Sequence, residues 1–108
     1  MNIAGRFAKP RLDPADIRPH AVIIGAGVGG IGMAVALQKA GLGEFLILEK
    51  QHDFGGVWRD NTYPGACCDV PSRLYSYSFA LNPHWTRAYS GHAEIRQYME
   101  DVAVRFGV

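Results

Sequence analysis

One short stretch, VIIGAGVGGIGMA at residues 22–34, constrains the fold more than any other part of this sequence, because an apolar run stops there at a series of glycines. Residues 20–24 are typical of a short buried strand. Residues 28–40 have the apolar spacing of a helix, and Gly41 suits its end. Residues 45–48 form a second apolar run of strand length. This strand–helix–strand order predicts a parallel βαβ unit, and therefore an α/β fold.

The glycines between the first strand and the helix follow the pattern Gly25-x-Gly27-x-x-Gly30, with Gly29 inside the same turn. The first glycine of this pattern permits a tight turn, the second lets the backbone approach a pyrophosphate, and the third lets the helix pack against the strand. The N–H groups at the start of the helix attract the anion. The pattern predicts a dinucleotide-binding turn, and a glycine-rich turn in an unrelated α/β domain is the alternative.

Glu49 supplies the acidic residue that a dinucleotide site needs, since it lies nineteen positions after Gly30 at the end of the second strand. Its carboxylate is placed to accept hydrogen bonds from ribose hydroxyls and would repel a 2′-phosphate. The ligand is therefore expected to be FAD or NAD rather than NADP. Gly55 and Gly56 follow, and a second glycine pair favours the longer ligand, FAD. An ordinary turn at this pair and a plain NAD dehydrogenase are the alternatives.

Composition and charge exclude several other classes of function. The formal net charge of the 108 residues is +1 and the basic residues are scattered, so we expect no nucleic-acid partner. No apolar run is long enough to span a membrane and no signal peptide is recognisable, which makes a cytoplasmic location the default. Adjacent Cys67 and Cys68 suit neither a disulfide framework nor a metal site, and no metal is predicted. Residues 1–19, with three prolines, are expected to form an N-terminal arm, and residues 20–108 one domain.

Residues 51–90 lack periodicity but contain eight of the twelve aromatic residues, so we expect an ordered, functional excursion rather than a disordered loop. Within it, LYSYSF at residues 74–79 alternates aromatic and serine residues, which predicts a short strand. Tyr63 is expected to lie in the core. Residues 91–106 return to helical spacing, and Gly107 suits the end of that helix.

The segment GGVWRDNTYPGACCDVPSRLYSYSF, residues 55–79, resembles the N-terminal part of the Baeyer–Villiger monooxygenases, which are class B flavin monooxygenases. The similarity extends from about Ala21 onwards. It implies a partial Rossmann-like FAD-binding domain in which the doubly wound parallel sheet is incomplete, with FAD lying across the glycine turn and Glu49. The residues that the resemblance places around the flavin half are Val57, Trp58, Asp69 and Tyr75. Gly56, of the second glycine pair, is expected to bind the cofactor near its pyrophosphate.

In that family NADPH reduces FAD, and O2 is then used to convert a ketone into an ester or a lactone. The residue matching Asp69 lies near the nicotinamide and the reactive flavin position. This implies a catalytic role for Asp69 through an arginine that it holds. The sequence departs from the family at Cys67, where many members have arginine, and at Thr62, where some do.

The family's NADPH domain has its own glycine motif, and a signature of Phe-Gly-His-Trp type lies between the domains. Neither has a counterpart in the 108 residues. We therefore expect an FAD-binding fragment that is inactive alone, with NADPH and a small ketone bound only by a completed enzyme. The alternative is a non-catalytic nucleotide-binding module, or half of a split enzyme completed by a partner chain. Without a neighbouring strand, residues 22–24 would have an open apolar edge that favours self-association.

Overall fold

The strand–helix–strand unit predicted from the glycine turn forms the first half of the described structure. The computed structural model describes residues 19–108, so the predicted arm lies outside the described residues except for Pro19. The elements in chain order are strand β1 (Ala21–Ile24), helix α1 (Val28–Lys39), strand β2 (Phe45–Leu48), helix α2 (Val57–Asp60), a 3-10 turn (Ser72–Leu74) and helix α3 (His92–Phe106).

Strands β1 and β2 pair in parallel, with Ala21 opposite Phe45 and Ile24 opposite Leu48. Across residues 19–108 these two strands are the whole sheet, so its outer edges carry no further strand. The α/β class and the incomplete parallel sheet are therefore confirmed.

The two faces of the sheet differ in how they are covered. Helix α1 packs on one face, where Ile23 meets the buried side chains of Ala34 and Val35. Since side chains alternate along a strand, Val22 and Ile24 point to the opposite face. There Ile24 is 79% exposed. One apolar face of the sheet is thus left open to solvent.

Both long helices end next to the glycines that the sequence indicated. Gly41 follows α1 with φ of +78°, and Gly107 follows α3 with φ of +68°. The N–H of Gly107 donates to the carbonyl of Val104 at 3.2 Å, which closes the last turn of α3. These two helix ends are confirmed.

A second core lies between α3 and the aromatic-rich residues 51–90. Its fully buried members on α3 are Ile95 and Met99, with Val102 nearly so, and Cys68 belongs to the same cluster. The aromatic side chains that pack around it are Phe54, Trp58, Tyr75, Tyr77, Phe79, Trp85, Tyr98 and Phe106. The excursion is therefore an ordered part of the fold, as expected.

The strand predicted for residues 74–79 is wrong. The chain there forms the 3-10 turn and bends, with one isolated bridge between Tyr77 and Ala80. No neighbouring strand offers a ladder to this segment within the described residues, and its tyrosines turn to different partners instead. The prediction that Tyr63 lies in the core is also wrong. Tyr63 begins a tight turn, which the N–H of Ala66 closes by donating to its carbonyl, and Tyr63 is 62% exposed.

Helix α2 was not predicted, since four residues are too few to show a helical period. None of the helices in residues 19–108 has both the length and the apolar character needed to cross a membrane. The cytoplasmic location stays a prediction.

Candidate dinucleotide site

The glycine turn is held between the two strands. Gly25 follows β1 with φ of +94°, a conformation that favours glycine, and its N–H donates to the carbonyl of Leu48 at 2.8 Å. A Cβ atom on Gly30 would lie 1.9 Å from the carbonyl oxygen of Gly25. Only glycine at position 30 therefore lets α1 approach the turn this closely, which matches the role predicted for it.

The start of helix α1 is open to an anion. Gly27 is the N-cap in an extended conformation, and no side chain of the described residues caps the helix there. The first turn also contains no acidic residue. A Cβ position on Gly29 has nothing within 4 Å, so the backbone at this point is accessible. The N–H groups of the first turn are thus free of side-chain caps that would compete with an anionic ligand.

Glu49 lies directly after β2 and is hydrogen-bonded to the glycine turn. Its Oε2 accepts from the N–H of Ala26 at 2.7 Å, and its Oε1 accepts from the N–H of Gln51 at 3.0 Å. These two backbone donors, Ala26 first, lower the pKa of Glu49 below its usual 4.5. Each oxygen keeps a further lone pair, so the charged carboxylate can still accept ribose hydroxyls. The spacing between the glycines and Glu49 did not predict the hydrogen bond from Ala26 to Glu49.

The second glycine pair lies against the first glycine turn. The N–H of Gly55 donates to the carbonyl of Ala26 at 3.0 Å. Gly56 has φ of +54°, and a Cβ atom on it would lie 3.0 Å from the Cα of Gly27. Two motifs that are 29 residues apart in sequence therefore form one glycine-lined surface, and Val57 begins helix α2 beside it, exposed to solvent.

Trp58 and Tyr75, both predicted to enclose the flavin, are in direct contact. The indole Nε1 of Trp58 donates to the hydroxyl oxygen of Tyr75 at 2.9 Å. Their rings meet edge to face, with centroids 5.6 Å apart and an interplanar angle of 84°. This geometry gives the two partly buried aromatic side chains a fixed relative orientation.

Asp69 is not joined to these residues by a hydrogen bond or an ion pair. It lies exposed at a bend, and the residues from 19 to 108 give its carboxylate neither kind of partner. No side-chain hydrogen bond caps the 3-10 turn that follows, so Asp69 does not act as a cap there. Its neighbour Cys67 is exposed and forms a backbone bridge with Gly91, whereas Cys68 is buried. The catalytic role of Asp69 stays a prediction.

Tyr77 is a site residue that sequence reasoning missed. Its hydroxyl donates to the carbonyl of Val28 at 2.6 Å, in the first turn of α1. Its ring lies 3.1 Å from a Cβ position on Gly32, and its N–H donates to the hydroxyl of Tyr98 at 2.8 Å. Burial, followed by the neighbouring phenols, raises the pKa of Tyr77. The available signal was Gly32, a mid-helix glycine with no assigned role.

Comparison with known proteins agrees with this geometry. A family described as the NAD(P)-binding Rossmann-like domain matches residues 23–101. The chain belongs to this family. The match covers both glycine motifs, Glu49 and most of helix α3. The partial Rossmann-like fold is thereby confirmed.

Relatives of this Rossmann-like domain include two monooxygenases. A Baeyer–Villiger monooxygenase of Streptomyces coelicolor is 55% identical over 86 residues, which are 80% of this chain and 17% of that protein. An FAD-binding monooxygenase of Botryotinia fuckeliana is 52% identical over 95 residues, 85% of this chain and 18% of that protein. The chain thus spans less than a fifth of the length of these relatives.

Solved structures give the same result. An oxidized steroid monooxygenase bound to NADP matches with a TM-score of 0.74 and 40% identity, over 81% of this chain and 17% of that one. An open structure of cyclohexanone monooxygenase matches with a TM-score of 0.75 and 39% identity, over 82% and 18%. The resemblance to the Baeyer–Villiger monooxygenases is therefore confirmed.

Proposed function

We propose that residues 20–108 are the FAD-binding part of a flavin-dependent, NADPH-using monooxygenase of Baeyer–Villiger type. The observation that carries this proposal is the meeting of the two glycine motifs at Gly27 and Gly56, with Glu49 bonded to the same turn. The first motif accounts for the pyrophosphate of any dinucleotide, and the second glycine pair beside it favours the longer ligand, FAD.

The residues present fit a flavin dinucleotide. The pyrophosphate would lie at the uncapped first turn of α1, where Gly27, Gly29 and Gly56 leave room for it. Glu49 would accept the ribose hydroxyls of the adenosine half. At the flavin half, the side chains that would form the wall are those of Val57, Trp58 and Tyr75, of which the last two are already hydrogen-bonded to each other.

The chemistry is proposed from the similarity to the Baeyer–Villiger monooxygenases. Bound FAD supplies electron transfer between NADPH and O2, through which a ketone becomes an ester or a lactone. Asp69 is proposed to act by holding an arginine that the described residues do not supply, because its exposed carboxylate has no ion-pair partner among them. An arginine held there would stabilise negative charge on the reacting oxygen.

We propose that this chain binds FAD but does not oxidise NADPH alone. The residues that match make up only 17–18% of these relatives' length, and the conversion of a ketone is assigned to a completed enzyme. Steady NADPH consumption by the purified chain would contradict this part of the proposal.

The first test is an FAD titration followed by tryptophan fluorescence. The Trp85→Phe variant leaves Trp58 as the sole reporter, since the chain has two tryptophans. Trp85 is a suitable residue to replace, because it contacts Tyr98 and Ser76 rather than the glycine surface. We expect saturable quenching by FAD in both proteins and weaker quenching by NAD. A folded chain that FAD does not quench, or that prefers NAD, would contradict the proposed ligand.

The open face of the sheet favours a second candidate, one half of a split enzyme completed by a partner chain. Val22, Ile24 and Leu48 are all exposed apolar residues of the two strands. Such a surface is typical of an interface. Light scattering over a range of concentrations tests it, since a chain that stays monomeric and soluble at high concentration would count against an interface here.

A further inference from the structure

Asp53 joins two arginines from different parts of the fold. It lies two residues before Gly55, and its Oδ1 accepts from Nε of Arg59 on α2. Its Oδ2 accepts from Nη2 of Arg96 on α3 at 2.8 Å. Arg96 also donates through Nε to Glu100 at 3.1 Å, one turn further along α3. A single carboxylate therefore connects the loop after β2 to both helices that follow.

This connection reaches the glycine surface through direct contacts. A Cβ atom on Gly55 would lie 2.7 Å from the Cβ of Arg59, so the arginine that Asp53 binds also rests on the second glycine pair. Gly55 in turn donates to the carbonyl of Ala26, and Gly56 lies against Gly27. Helix α3 is thus connected to the first glycine turn by a continuous series of contacts that includes Asp53.

The conformational freedom of the loop explains why such a connection is useful. Gly55 and Gly56 both have positive φ, of +130° and +54°, and adjacent glycines give a loop many alternative conformations. A local turn would not fix the loop relative to the rest of the fold. The bond between Asp53 and Arg96 does so, because it joins residues 43 positions apart.

We propose that Asp53 is a positioning residue for the dinucleotide pyrophosphate. By bridging Arg59 and Arg96 it holds Gly55 and Gly56 against the first glycine turn, in the conformation that leaves room for the ligand. The inference rests on the proposed function. Asp53 acts through the glycine pair and not by contact with the ligand, since both its oxygens accept from arginines.

The test is the Asp53→Asn variant of the full chain, which keeps the side-chain size but removes the charge that binds two guanidinium groups. Hydrogen exchange of the amides in residues 54–61 is expected to rise about tenfold, while exchange in residues 28–39 is unchanged. The dissociation constant for FAD is expected to rise about tenfold. Asp101→Asn is the matched control, because Asp101 is an exposed acid on α3 whose partner is Gln97. This control should change neither measurement.

Each outcome decides the inference. Unchanged exchange at residues 54–61 in Asp53→Asn would overturn it, whether or not the wild-type chain binds FAD. Raised exchange with unchanged FAD affinity would overturn it as well, and so would exchange that rises equally throughout residues 28–39, since Asp53 would then serve only overall stability. A wild-type chain that does not bind FAD would refute the proposed function, and the exchange pattern would still decide whether Asp53 holds the loop.

Discussion

The tightest contact in the candidate site makes Gly30→Ala the most informative single substitution. A Cβ atom on Gly30 would lie 1.9 Å from the carbonyl oxygen of Gly25 and 2.9 Å from its carbonyl carbon. Both are backbone atoms of the turn, so no side-chain rotation relieves the clash. Because ordinary contact begins near 3.4 Å, helix α1 has to move away from the turn by about 1.5 Å.

Two opposing effects set the size of the change. Overfilling a packed site costs about 1–3 kcal/mol, and a clash with backbone belongs at the upper end of that range. Alanine in a helix is more favourable than glycine by about 1 kcal/mol. The free energy of unfolding is therefore expected to fall by about 2 kcal/mol. The free energy of unfolding of a small domain falls by about 1 kcal/mol per M of urea, so the unfolding midpoint is expected to fall by about 2 M.

Urea unfolding, followed by far-UV circular dichroism and tryptophan fluorescence, measures this change. Gly29→Ala is the matched control, since a Cβ atom on Gly29 meets nothing within 4 Å in the same helical turn. The control is expected to be as stable as the wild type, or more stable by up to about 1 kcal/mol. A midpoint for Gly30→Ala at or above that of Gly29→Ala would refute the argument that close packing requires glycine at position 30.

Three further substitutions test the rest of the site. Gly56→Ala should weaken FAD binding about tenfold in the fluorescence titration, because positive φ and a Cβ 3.0 Å from the Cα of Gly27 force the two loops apart. The lowered pKa of Glu49 means that its carboxylate stabilises the fold above pH 4.5 and less as pH falls below that value. Glu49→Gln should therefore show a smaller loss of urea midpoint between about pH 7 and about pH 4 than the wild type, and equal losses would contradict this reasoning. Tyr77→Phe removes the hydroxyl that donates to the carbonyl of Val28 and should cost about 0.5–1.5 kcal/mol in the same urea assay, so an unchanged midpoint would show that this hydrogen bond does not stabilise the fold.

The parts of the fold that the sequence predicted are those determined by backbone conformation over a short range. Gly25, Gly41 and Gly107 all have positive φ, and each ends an element where glycine is favoured for that reason. The prediction of a short strand at residues 74–79 was wrong, because alternating aromatic and serine residues show a pattern of burial but not what causes it. There the pattern arises from separate tertiary contacts, such as the bond from Tyr77 to a carbonyl 49 residues away.

The candidate site also has a part that the sequence predicts and a part that only the structure shows. The glycines and Glu49 follow a fixed spacing, because the βαβ unit defines where the turn, the start of the helix and the end of the second strand lie. The bond from Ala26 to Glu49 and the bond from Arg96 to Asp53 span 23 and 43 residues. Pairs this distant leave no periodic trace in a single sequence, so only the three-dimensional structure shows them.

The aromatic-rich residues 51–90 depend on a helix that is synthesised after them. Strands β1 and β2 find each other within residues 21–48, whereas the partners of Asp53 and Tyr77, which are Arg96 and Tyr98, lie on α3. A ribosome adding about 5–20 residues per second takes roughly 3–10 s to proceed from residue 54 to the end of α3. During that interval the nascent chain can already pair its strands while its aromatic side chains are still uncovered. Chaperone protection would matter most in those seconds.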